Sequence, residues 1–237
     1  MANNRIRLYL VAFLLVATAG ITSAGDVARF TNLGFSPDSG VFMFAQYGIN
    51  HPEGKPFAEI YTVDVPRNVF VTGAVERRIF DKAVTAGQDG SGALFTLLPP
   101  LHSTVRDHEI DHLDQGRIIY LLVNGEGDEP RSRIEFRDFR TGTRYTISIT
   151  QNARGRGVDG SAAFHLNLTA RYTDGTIVEQ RVGRPDFYRD GVNRYRVGRV
   201  IIAPDNRSLV IVMERITDIS GGRRIRYMVE TVRLSRG

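Results

Sequence analysis

The residues best placed by type and spacing to do chemistry are His108, Glu109 and His112, in the run His108-Glu109-Ile110-Asp111-His112. On an α-helix, histidines four positions apart stand one turn above each other and can share a zinc ion. The intervening glutamate then activates the metal-bound water. In that placement Leu101, Val105, His108 and His112 share one helix face. The surrounding sequence does not complete such a site. Asp111 sets a charge where zinc proteases usually carry an uncharged, core-packed residue. The extended form of the motif fails as well: Gln115 holds its glycine position, and Ile118 stands where a third histidine belongs. The chain beyond Gly116 reads as strand, so no downstream helix brings a further ligand, and the nearest carboxylates are Glu126, Glu129 and Glu135. The competing reading is a polar helix end with Asp107, Glu109, Asp111 and Asp114 solvated. The expectation is therefore no catalytic residue, no metal and no cofactor, with His108, Glu109 and His112 as the one metal candidate.

Other chemistries find less. His51 and His102 have no partners at ligand spacing, and His165 alternates with Phe164 and Leu166, which puts it on the opposite face of a strand. Cysteine is absent, so thiol chemistry is excluded, and no Gly-x-Ser-x-Gly elbow or phosphate-binding loop appears. Asp38, Asp138, Asp205 and Glu135 lie in or near turns and would have to converge to about 5–10 Å to act as a glycosidase pair. Asp38 and Asp205 each follow a proline, which suits turn formation instead. Arginines and aromatics cluster through Arg184–Arg199 (RPDFYRDGVNRYRVGR). There Arg194 and Arg196 alternate with Tyr195 and Val197, and Arg224 and Arg226 flank Ile225, so a strand face is expected to be cationic. Such a face suits an anionic cell-wall polymer or lipid headgroups, or else is merely solvated.

The elements that must position these residues are mostly strands. Short apolar runs, many β-branched or aromatic, alternate with Gly, Pro, Asn and Asp clusters. Val41–Tyr47, Ala58–Val65, Asn68–Ala74, Arg117–Val123, Arg133–Phe139 and Arg144–Thr150 are the first of them. Ala162–Tyr172, Thr176–Val182, Asn193–Ile202, Ser208–Arg215 and Arg224–Leu234 complete the series. One stretch differs. From Gly92 to about Leu113, Leu94, Leu97, Leu98, Leu101 and Val105 fall at helical spacing, interrupted by Pro99 and Pro100. Two short helices are expected there, the second starting at the prolines. The fold class is accordingly mainly β, with antiparallel sheets resembling propeller blades or a β-sandwich and a short helical insertion around 92–113.

Residues 1–24 read as a secretory signal peptide: Arg5 and Arg7, then the apolar Leu8–Ala17, then Thr22-Ser23-Ala24 for cleavage near Ala24. The apolar run is shorter than the roughly 18–20 residues of a spanning helix. No later segment is long and apolar enough to span, and no cysteine is present to carry a lipid. Residues 25–237 are then expected to form a single extracytoplasmic domain, periplasmic or secreted. Without Arg5 and Arg7, Lys+Arg falls from 31 to 29 against 26 Asp+Glu, a mature charge of about +3. That is too small to point to nucleic acid.

A weak internal repeat links Phe35-Ser36-Pro37-Asp38 with Ile202-Ala203-Pro204-Asp205, and Ile134–Ile147 carries a related turn at Asp138. Gly34–Gly48 (GFSPDSGVFMFAQYG) with Glu59–Val65 (EIYTVDV) resembles single blades of WD-type and Tol-system propellers, a likeness of fold alone. The first of these segments, with Ile110–Gly125, Ile134–Phe139, Ser161–Leu166 and Ile225–Thr231, also resembles a family of predicted secreted bacterial proteins of unknown function. That resemblance implies export, a bacterial origin and one full-length domain, and it brings no activity. The expected role is a non-enzymatic binding or assembly protein of the cell envelope, its partner an envelope protein or an anionic cell-wall polymer. The alternative is a secreted hydrolase, metal-dependent through His108, Glu109 and His112 or carboxylate-based.

Overall fold

The run Leu209–Met213 (LVIVM) is apolar at every position, the pattern of a strand covered on both faces. A computed structural model of the chain describes residues 25–51, 53–85, 87–123 and 131–235, and in it this run is fully buried. The expected signal peptide, Glu126 and Glu129 lie outside the described residues. The run belongs to β12 (Ser208–Ile219), which lies between β11 (Arg194–Ile202) and β13 (Gly222–Arg233). Beyond β11 the sheet is extended by β6 (Arg117–Leu121), and beyond β13 by the short parallel strand β1 (Asp26–Val27). Alternation then sorts the side chains: Leu209, Ile211 and Met213 enter one core cluster, Val210 and Val212 another.

The first cluster is closed by an antiparallel meander of β7 (Arg133–Arg137), β8 (Arg144–Arg154), β9 (Ser161–Arg171) and β10 (Ile177–Asp190). Its inward residues Tyr145, Ile147, Ile149, Phe164 and Leu166 meet Tyr195 and Val197 of β11. The second cluster is closed by another meander, β2 (Arg29–Phe35), β3 (Val41–Asn50), β4 (Lys55–Asp64) and β5 (Val69–Ile79). Here the aromatic rings of Phe42, Phe44, Tyr61 and Phe70 succeed one another at centroid separations of 6.0, 5.0 and 5.2 Å. The fold is mainly β, as expected, with its sheets stacked face to face. β5 and β10 run well past the predicted strand ends, because pairing with β4 and β9 continues through polar residues that alternation alone does not mark.

The outer face of the β2–β5 sheet is covered by the helical insertion. α1 (Ser91–Leu97), a 3-10 turn at Pro99–Leu101 and α2 (His102–Asp107) place Leu94, Leu97 and Leu101 against Met43, Ala45 and Ile60. The insertion is where the leucine spacing predicts it, but its helical part stops at Asp107, short of Leu113.

The three repeat-like turns join β2 to β3, β7 to β8 and β11 to β12, and they meet at one end of the molecule. The Ser39 hydroxyl accepts the Asp205 N–H at 3.2 Å, and Arg117 donates to both Asp138 and Asn206. The repeat is therefore an equivalence of position between sheets as well as of sequence.

Candidate functional site

The run His108–His112 does not form the helix that zinc ligation needs. His108 caps α2, Glu109 takes the left-handed conformation (φ 51°), and Asp111 pairs with Phe35 at the edge of β2. Ile110 is buried in the cluster beneath the helices. The Asp111 N–H donates to the Phe35 carbonyl at 3.0 Å, and the Phe35 N–H donates to the Asp114 carbonyl at 3.0 Å. His112 Nδ1 donates to the Leu33 carbonyl at 2.5 Å. These contacts use the motif to dock the insertion on β2. Among the described residues, no group of three His, Cys, Asp or Glu side chains is arranged to hold a metal ion.

The turn acids are each engaged by neighbouring donors. Asp38 accepts the Ser36 hydroxyl and the Gly40 N–H; Asp205 accepts the N–H groups of Arg207 and Ser208 and the Ser208 hydroxyl. Asp138 accepts Arg117, the Arg140 N–H and the Thr141 hydroxyl. Glu135 is exposed and held by Arg133. The expected cationic stripe is also largely neutralised. Arg196 pairs with Glu214 and Arg194 with Asp218, while Arg224 and Arg226 share the buried Asp26. His165 lies on the outer face of β9, opposite Phe164 and Leu166; burial, then the charge of Arg181, lowers its pKa.

Three arginines without such partners lie on β10, at a cleft of about 640 Å³. Three elements form it: the β4–β5 turn, the bulged part of β10 and the end of β13. Arg181, Arg184 and Arg189 line it, and among the described residues none of them has a carboxylate within ion-pair distance. Arg189 Nη1 is buried without a hydrogen-bond partner, and its guanidinium lies 4.9 Å from the centre of the Phe187 ring. Phe70 and Phe187 are half exposed at the cleft, 48% and 50%. Phe70 is held there as the outer end of the aromatic row that begins at Phe42.

The inner wall carries Glu230, only 4% exposed. Asn68 Nδ2 donates to its Oε2 at 2.5 Å, while Asn68 Oδ1 accepts the Thr231 N–H at 2.8 Å. Asn68 reaches both because it sits at φ 54° in the β4–β5 turn, a conformation asparagine tolerates better than most residues. Burial raises the Glu230 pKa, against the Asn68 hydrogen bond and the charges of Arg189 and Arg184, which lower it. A carboxyl disposed toward its neutral form thus faces unpaired guanidinium groups and two aromatic faces. Such a wall can bind an anion by charge-assisted hydrogen bonds and hold an apolar ring face beside it.

The family model described as "Predicted secreted protein (DUF2259)" matches residues 43–233. The chain belongs to this family. The match takes in every residue named at the cleft and leaves β1 and β2 outside, and it attaches no activity to the residues it covers. Among curated proteins, none matches the chain. No helix of the described residues is long and apolar enough to cross a membrane.

Part of the cleft is legible in the sequence and the rest is not. The cluster at Arg184–Arg199 contains Arg184, Phe187 and Arg189, but strand alternation marks its other half as the cationic face. Glu230 carries almost no signal: it is one acid in the run Met228–Val232 (MVETV) of a strand otherwise marked by its apolar residues. Its importance depends on Asn68, which lies 162 residues earlier.

Proposed function

We propose that this family member is an exported, non-enzymatic binding protein of the cell envelope, and that the cleft between β10, β13 and the β4–β5 turn takes an acidic ligand. The observation that carries this reading is the set Arg181, Arg184 and Arg189, which face a cleft without carboxylate partners. Arginine forks fit carboxylate and phosphate groups in two-point contacts. Phe70 and Phe187 add apolar faces of the kind on which a sugar ring rests. Export follows from the leader, with one mature domain starting at Gly25. Cleavage after Ala24 leaves β1 whole, since its first residue is Asp26. The test is calorimetric titration of the mature protein with trigalacturonate at low salt. Binding that weakens with added salt and is lost in Arg184→Gln is expected; equal affinity in wild type and Arg184→Gln overturns the assignment.

A second reading, a carboxylate-based secreted hydrolase, draws support from Glu230. A buried carboxyl with a raised pKa is the form a general acid takes. Two-carboxylate sugar hydrolysis needs a partner across the bond, and Glu230 is the one acid among the described residues lining the cleft. Release of reducing ends from polygalacturonate, abolished in Glu230→Gln, would favour this reading over the first.

A further inference from the structure

A second cleft, of about 430 Å³, lies along the same strand. Phe57 and Glu59 of β4, Arg77 and Arg78 of β5, Arg215 of β12, and Arg224 and Arg226 of β13 border it. Arg77 stacks over the Tyr61 ring at 5.0 Å, and Arg226 over the Phe57 ring at 4.2 Å. Arg224 and Arg226 are engaged with Asp26, but Arg215 Nε is buried without a partner, and neither Arg77 nor Arg78 has a carboxylate within ion-pair distance among the described residues.

Three strands border both clefts: β4, with Val63 at the first and Phe57 and Glu59 at the second, and also β13 and β5. On β13, Arg224 and Arg226 face the second cleft and Met228 and Glu230 the first, four alternate positions that point the same way from one strand. On β5, Val69 and Phe70 border the first cleft, and Arg77, Arg78 and Ile79 the second. At about 3.3 Å per residue, Arg224 and Glu230 stand roughly 20 Å apart along β13. The clefts are thus two stations on one path, each offering guanidinium groups beside aromatic rings.

From this alignment we infer that the binding surface is an extended groove for a linear acidic polysaccharide, with one station at Arg181, Arg184 and Phe187 and the other at Arg77, Arg78 and Arg215. The inference rests on the acidic ligand proposed above for the first cleft and adds the second station. Holding one chain at both stations makes the second contact intramolecular, so affinity rises with ligand length until the chain spans them.

The experiment compares digalacturonate with octagalacturonate on the full mature protein, in wild type, Arg77→Gln/Arg78→Gln and Arg181→Gln/Arg184→Gln. All four arginines are at least partly exposed, so each variant is expected to melt as wild type does. In wild type the octamer is expected to bind about tenfold or more tightly than the dimer. Arg77→Gln/Arg78→Gln is expected to remove that gain and leave dimer binding unchanged, while Arg181→Gln/Arg184→Gln weakens both. Equal affinity for dimer and octamer, or a length gain that survives Arg77→Gln/Arg78→Gln, overturns the groove but leaves the single cleft standing. Failure of both ligands to bind overturns the acidic-ligand reading itself. A single-stranded oligonucleotide that binds more tightly than the octamer overturns the choice of polysaccharide.

Discussion

The side-chain amide of Gln46 stands in for a missing strand beside Tyr227. Its Oε1 accepts the Tyr227 N–H at 2.7 Å, and its Nε2 donates to the Tyr227 carbonyl at 3.2 Å. β1 pairs with β13 only at Arg224 and Ile225, so the backbone of Tyr227 would otherwise meet no partner on that side. Gln151 does the same for Tyr195 on β11, at 2.8 and 3.3 Å. Each glutamine ends an inward-facing series, Phe42-Phe44-Gln46 in one sheet and Tyr145-Ile147-Ile149-Gln151 in the other. The two covering meanders therefore close both open edges of the central sheet.

Replacing either glutamine by alanine leaves an N–H and a carbonyl unpaired in a buried setting. A loss of about 2–4 kcal/mol is expected for Gln46→Ala and for Gln151→Ala. Urea unfolding followed by tyrosine fluorescence measures it; a loss below about 1 kcal/mol would show that water replaces the amide.

Gly34→Ala is expected to be more disruptive than an ordinary glycine substitution. Gly34 has φ 107°, and an added Cβ would overlap the carbonyl oxygen of Asp111. Relief requires the 110–114 segment to lift from β2. A fall in melting temperature, with faster proteolysis after the helical insertion, is the expected result, and limited trypsin digestion reads it.

His112→Ala tests the structural role given to the histidine motif. Loss of its hydrogen bond to Leu33 should cost about 1 kcal/mol. The metal content of purified protein should be the same before and after the change. Stoichiometric zinc in the wild type that disappears in the variant would restore the metal reading.

Asp26 and Glu230 should leave opposite marks on the pH dependence of stability. Burial raises the Asp26 pKa, but hydrogen bonds and charges from Arg226 and Arg224 outweigh it and hold the carboxyl below its ordinary value. With the folded pKa below the unfolded one, this stabilisation is present above the ordinary value of 3.8 and is lost as pH falls through the folded pKa. Asp26→Asn should cost about 2 kcal/mol at neutral pH and flatten the acid limb of the stability curve.

For Glu230 the sign reverses. Its folded pKa is raised, so its contribution is whole below the ordinary value of 4.5 and is lost as pH rises through the folded pKa. Glu230→Gln keeps an acceptor for Asn68 and removes that loss. The variant should gain on wild type as pH rises from 4 toward 8, as seen in denaturation midpoints; parallel curves would sink the assignment.

The sheets are legible in the sequence because their signal is local. Alternation in Tyr145-Ile147-Ile149, the continuous apolar run of β12 and the Pro-Asp turns each state their structure within a few residues. The end of the helical region is not, because the chain leaves α2 at Asp107 to bring Asp111 to Phe35, 76 positions earlier, as a pairing partner. Arg194, Arg196, Arg224 and Arg226 show the same limit. Spacing puts them on strands, but their neutralisation depends on Asp218, Glu214 and Asp26, supplied by other strands. The cleft needs three separate segments, and only one of them, the β10 cluster, announces itself by composition.

The aromatic row of the first meander is complete by residue 70, whereas the surface that covers it, from Ile201 to Val229, comes from the last sixth of the chain. A chain delivered from its N-terminus supplies Phe42, Phe44 and Tyr61 long before their cover. Contacts separated so widely in sequence form slowly, and an exposed apolar sheet face is a place for neighbouring chains to stick. The time before the final strands arrive is thus the vulnerable interval in this protein's life. A chain cut short before β12 should aggregate rather than fold with fewer strands.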